Sequence, residues 1–209
     1  MDPARIAELL RPFTGDAEPP SGMLDQFRLY LDLLLRWNAR VNLTAVRDPE
    51  QIVTRHFGES LFAARMLDPQ AAGPSTLADV GCGAGFPGIP IKLWAPQIEL
   101  TLIESQNKKA TFLREALRTL KLNHAQVFCG RAEQWGQTAD LVTLRAVEHF
   151  ERALPVAAAL VRPGGKLYLL IGSGQTKSAQ ELSGEQWTWQ DLFPVPLSRG
   201  RVLMIGERI

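Results

Sequence analysis

The chain has 209 residues, 45% of them hydrophobic and 22% charged, with a formal net charge of +1. That length can bury a sizeable core without staples, and 17 glycines with 14 prolines is ordinary usage, so collagen-like, low-complexity and wholly disordered classes are excluded. The small net charge neither demands nor forbids a nucleic-acid partner, because a local basic patch suffices for one.

Two cysteines, Cys82 and Cys129, make neither a disulfide framework nor a four-thiolate zinc site. His56, His124 and His149 are scattered, so no metal is expected. No run reaches the roughly 18 apolar residues of a membrane span, and the start lacks the apolar stretch of a secretory signal. A cytoplasmic protein without membrane contact is the expectation.

The opening reads as helical throughout. Residues 4–11 form a short helix, and the Gly- and Pro-rich stretch TGDAEPPSG a linker or turn. From Met23 to Ala39, Leu24, Phe27, Tyr30/Leu31 and Leu34/Leu35 recur at helical spacing. Asp48 caps the next helix, with Pro49 at its first position. The stretch DPQAAGPS at 68–75 is the clearest break, which predicts a helical extension over 1–72 and a second unit over 73–209. The extension carries 8 Lys/Arg and 10 Asp/Glu, and the later unit 15 and 12, a mild basic bias.

Strands and helices then alternate. Strands are predicted at Thr76–Val80, Glu99–Glu104, Gln126–Cys129, Ala139–Leu144 and Lys166–Ile171, and helices at Ala110–Leu120 and about 149–161. That alternation argues for an α/β fold, a parallel sheet with helices on both faces. Trp187–Phe193 and Val202–Ile205 are further strands, placed antiparallel to the rest.

The strongest local signal is Asp79-Val-Gly81-Cys-Gly83-Ala-Gly85-Phe-Pro-Gly88, a strand running into glycines and then a helix. Glycines tolerate positive φ and let a ligand approach the backbone. Gly83-x-Gly85-x-x-Gly88 matches the dinucleotide pattern formally, but late after the strand and with Pro87 inside it. Asp79-x-Gly81-x-Gly83-x-Gly85 fits an S-adenosylmethionine site instead; a loop without ligand is the third option. Glu104 ends the second strand, where a carboxylate accepts from both hydroxyls of a ribose. No Gly-Lys-Ser/Thr follows, which argues against a phosphate-only loop.

Several segments in order resemble one family. They are Trp37-Asn38-x-x-x-Asn42-Leu43-Thr44, Arg55-His56-x-x-x-Ser60-Leu61, the glycine loop, Glu104-Ser-x-x-Lys108-Lys109-x-x-Phe112-Leu113, Arg131-Ala132-Glu133 and Arg145-Ala146-Val147. They are similar to those of the bacterial RsmG or GidB family, which makes 7-methylguanosine in small-subunit ribosomal RNA. Two departures stand out: Glu59 where the family often has Asp, and Leu170–Gly174 where it commonly shows Lys-Gly.

The resemblance implies a class I methyltransferase fold, a Rossmann-like, seven-stranded and mostly parallel sheet with a helical N-terminal extension. It implies methyl transfer from S-adenosylmethionine to guanine N7 in 16S ribosomal RNA, free or in the small subunit. A monomer is the working expectation for a small RNA-modifying enzyme. Asp79, Gly81, Gly83, Gly85, Phe86, Glu104, Arg131, Ala132, Glu133 and Arg145 are then expected around the cofactor. Arg145 is the first candidate for a substrate-facing, catalytic residue, with Lys108 and Arg131 next; each could bind phosphate, contact the base or brace the cofactor site. Lys108, Lys109, Arg114, Arg118 and His56 are expected toward the RNA. Arg114, Arg118 and Lys121 share one helix face, suited to phosphates. Competing readings are a class I methyltransferase acting on a small molecule or protein, and a nucleotide- or RNA-binding module without catalysis.

Overall fold

A computed structural model describes residues 1–67 and 75–209 of the chain. Apart from Ser75, the break at 68–75 and the boundary between 72 and 73 lie outside the described residues.

The N-terminal segment is helical, as its periodicity predicts. Helix α1 (Pro3–Thr14) is capped by the Asp2 carboxylate, which accepts from the Arg5 N–H at 2.9 Å. Helix α2 (Met23–Asn38) buries Phe27, Tyr30, Leu31 and Leu34 along one face. Asp48 caps α3 (Pro49–Ile52) by accepting from Gln51 N–H at 2.8 Å. The chain then makes a wide π-helical turn over Val53–Gly58 and continues directly as α4 (Glu59–Ala64). Such wide turns commonly mark functional regions, and this one carries Arg55 and His56.

The remainder is the expected sheet. Its strands are β1 (Thr76–Val80), β2 (Glu99–Glu104), β3 (Ala125–Cys129), β4 (Ala139–Arg145), β5 (Val161–Gly172), β6 (Trp187–Trp189), β7 (Phe193–Pro194) and β8 (Arg201–Arg208). The order is β3-β2-β1-β4-β5-β8-β6, with β7 also pairing β8. The pairs among β1 to β5 are parallel, and β8 is antiparallel to β5. Seven strands lie on the main path, as expected, and the two-residue β7 is an eighth. The single strand read over Trp187–Phe193 is divided: β6 pairs with residues 206–208 of β8, and β7 with Val202 and Leu203. Pro194 in β7 has no N–H to donate, so it sits at the sheet edge.

Both sheet faces are buried. Along β5, Leu167, Leu169 and Ile171 face one apolar cluster, and Tyr168 and Leu170 face the other. Helix α7 (Phe150–Ala159) covers the first cluster, with α8 (Thr176–Ser183) contributing Ala179. Helices α5 (Gly88–Trp94) and α6 (Asn107–Thr119) cover the second. Ile6, Phe27, Tyr30 and Phe57 of the extension join that same second cluster. The extension therefore shares one core with the sheet.

Candidate active site

The strand order reverses between β1 and β4, which both start beside one another and lead to opposite halves of the sheet. Ligands of open α/β sheets bind at the carboxyl ends of the strands, at such a switch point. The glycine loop leaves β1 there. Gly81, Gly83 and Gly85 have φ of 63°, 58° and 90°, the left-handed region that glycine enters without strain. Gly81 N–H donates to Ile103 O of β2 at 2.9 Å, and Gly85 N–H closes the turn on Cys82 O at 2.8 Å. From below, the Tyr30 hydroxyl of α2 donates to Ala84 O. A side chain at Gly85 would strike Ile89 and Tyr30, at 2.5 and 2.8 Å. One at Gly83 would meet only Gly81 O, at 4.0 Å, so Gly83 looks onto open space.

The two carboxylates flanking the loop do different work. Asp79 is fully buried. Its Oδ2 accepts from Gly88 N–H at 2.7 Å and its Oδ1 from the Thr143 hydroxyl at 2.8 Å. Burial pushes its carboxyl up to about 7, against these hydrogen bonds, which favour the ionised form. Expected beside the cofactor, Asp79 instead braces the loop from beneath, tying β1 to the start of α5 and to β4. Glu104, at the end of β2, is also buried, with 5% exposure. Its Oε2 accepts from Gly83 N–H at 3.1 Å and its Oε1 from Gln106 N–H at 2.8 Å. Each oxygen keeps a further lone pair, so Glu104 retains the capacity to accept from a ribose.

Arg145 is not free to act on a substrate. Its side chain is 7% exposed, and its Nη2 lies 2.9 Å from Oε2 of Glu59, itself 5% exposed. The same nitrogen donates to Arg55 O at 2.7 Å and faces His56 Nδ1 at 3.0 Å. Arg201 from β8 brings Nε to 3.1 Å from the same Glu59 oxygen. Arg145 thus ties the end of β4 to the π-helical turn.

His56 is likewise interior to this network. Its ring stacks on Phe86 at 4.9 Å, and its Nε2 lies 2.8 Å from Thr44 Oγ1. Burial, reinforced by Arg145, Arg55 and Arg201, lowers its value to about 3, so the ring is neutral at pH 7. A guanidinium only donates. Nδ1 is therefore the acceptor, and the Nε2 proton goes to Thr44. The half-buried ring thus has both nitrogens engaged within the chain. Phe86 differs from expectation: its ring, 5% exposed, packs against Tyr30, His56 and Phe57 rather than into the crevice. Its backbone alone belongs to the loop.

The other expected residues lie along the carboxyl edge of the sheet and beyond. Lys108 is exposed and Lys109 half-buried in the first turn of α6, directly after Glu104. Arg114 and Arg118 are exposed further down that helix. Arg131 and Glu133 are exposed and Ala132 is buried in the turn after β3, where Gly130 N–H donates to Glu104 O at 3.1 Å. Cys82 is buried and its thiol pushed up by burial; Cys129 is half-buried and donates to Asn107 Oδ1 at 3.0 Å. Among the described residues no cluster of His, Cys, Asp or Glu is arranged to hold a metal, and no helix is long and apolar enough to cross a membrane. The Leu170–Gly174 segment ends β5, with Gly172 paired to Arg201.

Glu59 and Arg201 carry the buried network, yet sequence reasoning had not placed either in the site. Their signal was weak: Glu59 stood out only as a departure from a family pattern.

The crevice suits a nucleoside cofactor. Gly83 opens onto unfilled space, Glu104 has spare acceptor capacity beside it, and the turn at Ala132 closes the next strand end. With the strand order and the antiparallel β8, these define a class I methyltransferase that uses S-adenosylmethionine. A family model, rRNA small subunit methyltransferase G (GidB), matches residues 23–195. The chain belongs to that family. It is 48% identical over 168 residues to a ribosomal RNA small subunit methyltransferase G of Xanthomonas euvesicatoria pv. vesicatoria, covering 79% of this chain and 76% of the relative. It is 38% identical over 198 residues to that of Stenotrophomonas maltophilia, covering 94% and 90%. In fold it is similar to a ribosomal protein L11 methylase from Lactobacillus delbrueckii subsp. bulgaricus, with a TM-score of 0.60 and 14% identity over 74% of this chain and 79% of that one.

Proposed function

We propose that this chain methylates N7 of a guanine in small-subunit ribosomal RNA, acting as a monomer in the cytoplasm. The observation that carries the reading is family membership across residues 23–195 together with an open Gly83 beside Glu104. Glu104, the glycine loop and the turn at Arg131–Glu133 hold S-adenosylmethionine, which when bound supplies an activated methyl group.

The chain's own residues position rather than transfer protons. Guanine N7 carries a lone pair and no proton, so no general base is needed. The site agrees: Asp79 has both oxygens engaged beneath the loop, and His56 has both nitrogens engaged with Arg145 and Thr44. Rate enhancement then comes from holding acceptor and donor in line at short range. The guanine has to be presented unpaired for N7 to reach that position. Lys108, Lys109 and Arg131, at the rim, supply charge for the RNA.

Incubation with radiolabelled S-adenosylmethionine and unmodified small subunits, followed by digestion and nucleoside identification by chromatography and mass, tests this. Label in 7-methylguanosine is the expected result. Label in another nucleoside or in protein overturns it.

A further inference from the structure

A second concave surface lies outside the crevice. It is a cleft of about 430 Å³ between the end of α2 and the middle of α6, lined by Leu33, Arg36, Trp37, Arg40, Val41 and Glu115 among others. That volume falls in the range of small-molecule sites. Trp37 is held in place: its indole N–H donates to Glu115 Oε2 at 3.1 Å, and its ring meets Phe112 edge-on at 5.7 Å. Glu115, the acid of the lining, is thereby engaged.

Arg36 and Arg40 are exposed, and neither side chain has a hydrogen-bond or ion-pair partner among the described residues. Arg47, Arg65, Arg145 and Arg201, by contrast, each donate to an acceptor within the chain. Helix α6, which carries Glu115 of the cleft, begins three residues after Glu104. Lys108 and Arg118 lie seven residues before and three after Glu115, on the same face of α6. Lys108 follows the Glu104 strand end, about 10 Å along the helix axis from Glu115. Both lysine and arginine here lack partners among the described residues.

We propose that this cleft is an RNA docking subsite that takes one nucleotide outside the reacting guanine. The base lies against the half-buried Trp37 and Val41, and the adjoining phosphates meet Arg36 and Arg40. Charge complementarity selects the occupant: unpaired cations flank an apolar, aromatic-containing surface, the combination that binds single-stranded nucleic acid. The proposal rests on the ribosomal RNA reading above.

The test compares the wild-type protein with Arg36→Glu, Arg40→Glu and Arg11→Glu. Arg11 is an exposed α1 arginine without a partner among the described residues, so its reversal changes net charge equally. Methyl transfer to unmodified small subunits is followed at several salt concentrations, and S-adenosylmethionine affinity by calorimetry. Arg36→Glu and Arg40→Glu should each raise KM for subunits by about tenfold or more, with kcat and cofactor affinity unchanged, and flatten the salt dependence of kcat/KM by roughly 0.7 in slope per lost contact. Ultraviolet crosslinking should join the peptide around Trp37 to RNA. An unchanged KM, an equal rise in Arg11→Glu, or crosslinking to a ribosomal protein alone overturns the subsite. Failure of the wild-type protein to methylate the RNA instead removes the reading on which it rests.

Discussion

Oε2 of Glu59 lies 2.9 Å from Nη2 of Arg145, and the two side chains stand 86 residues apart in the chain, both almost fully buried. Arg201 approaches the same oxygen at 3.1 Å. One carboxylate thus joins α4 of the extension to the ends of β4 and β8. Through Arg145 it also fixes the π-helical turn, whose His56 stacks on the loop residue Phe86.

Removing that carboxylate leaves two guanidinium groups facing each other without an anion. Breaking a buried pair from one side typically costs about 3–5 kcal/mol. Glu59→Gln should lose stability in that range, measured by urea unfolding. Glu59→Asp keeps the charge and should lose markedly less. A larger loss in Glu59→Asp than in the near-isosteric Glu59→Gln would show that reach and shape, not charge, are what Glu59 contributes.

The neutral His56 makes stability depend on pH. Its folded value of about 3 lies below the ordinary 6.5. Between those values the unfolded chain binds a proton that the folded chain refuses. The contribution is therefore complete above pH 6.5 and is lost as pH falls toward 3, with a limiting slope of about 1.4 kcal/mol per pH unit. Asp79 acts in the opposite sense: raised from 3.8 to about 7, its contribution is present at low pH and lost as pH rises through 7. Subtraction isolates the histidine. The stability difference between wild type and His56→Gln should grow from pH 5 to 6.5 in urea titrations; a constant difference overturns the assignment.

Much of the fold was legible because its signals are local. Helix periods, strand alternation and the Asp48-Pro49 cap depend on neighbours within a few residues. The glycine loop was legible because left-handed backbone demands glycine there. The order of strands and the roles of Asp79, Arg145 and His56 were not, because they depend on partners far along the chain. Asp79 sits two residues before a ligand-facing loop, and its spacing alone cannot tell a carboxylate aimed at a ligand from one aimed at Thr143 and Gly88. Arg145 reads as a cation at a strand end; only the fold brings Glu59 to it. The split of the edge strand into β6 and β7 likewise reflects pairing with β8, which no local pattern records.

The glycines of the loop should separate by what surrounds them. A methyl group at Gly85 meets Ile89 and Tyr30 in the core, so Gly85→Ala should destabilise the fold by more than the ~1–2 kcal/mol of left-handed strain alone. Gly83→Ala meets no neighbour closer than 4.0 Å, so its stability cost should stay near that strain. Its new methyl occupies the space open to the cofactor, so S-adenosylmethionine affinity should fall about tenfold or more. Thermal melts and calorimetry on the two variants check both halves. Cofactor affinity unchanged in Gly83→Ala would remove Gly83 from the site.

Asp79 and Glu104 offer the sharpest contrast, since both are carboxylates at adjacent strands. In Asp79→Asn the amide nitrogen or oxygen has to face two donors, Gly88 N–H and the Thr143 hydroxyl, deep in the core. Leaving such a donor unsatisfied costs about 1–3 kcal/mol, so this variant should lose stability and cofactor affinity together. Glu104→Gln also sets an amide against backbone donors, at Gly83 and Gln106, but at the carboxyl end of β2, where each carboxylate oxygen keeps a lone pair for the proposed ribose. Its cofactor affinity should fall at least about tenfold while its melting temperature falls less than that of Asp79→Asn, and RNA binding should be unchanged because Glu104 carries no positive charge for phosphate. A Glu104→Gln protein that binds S-adenosylmethionine normally would leave the ribose without its proposed acceptor and would move the cofactor elsewhere along the strand ends.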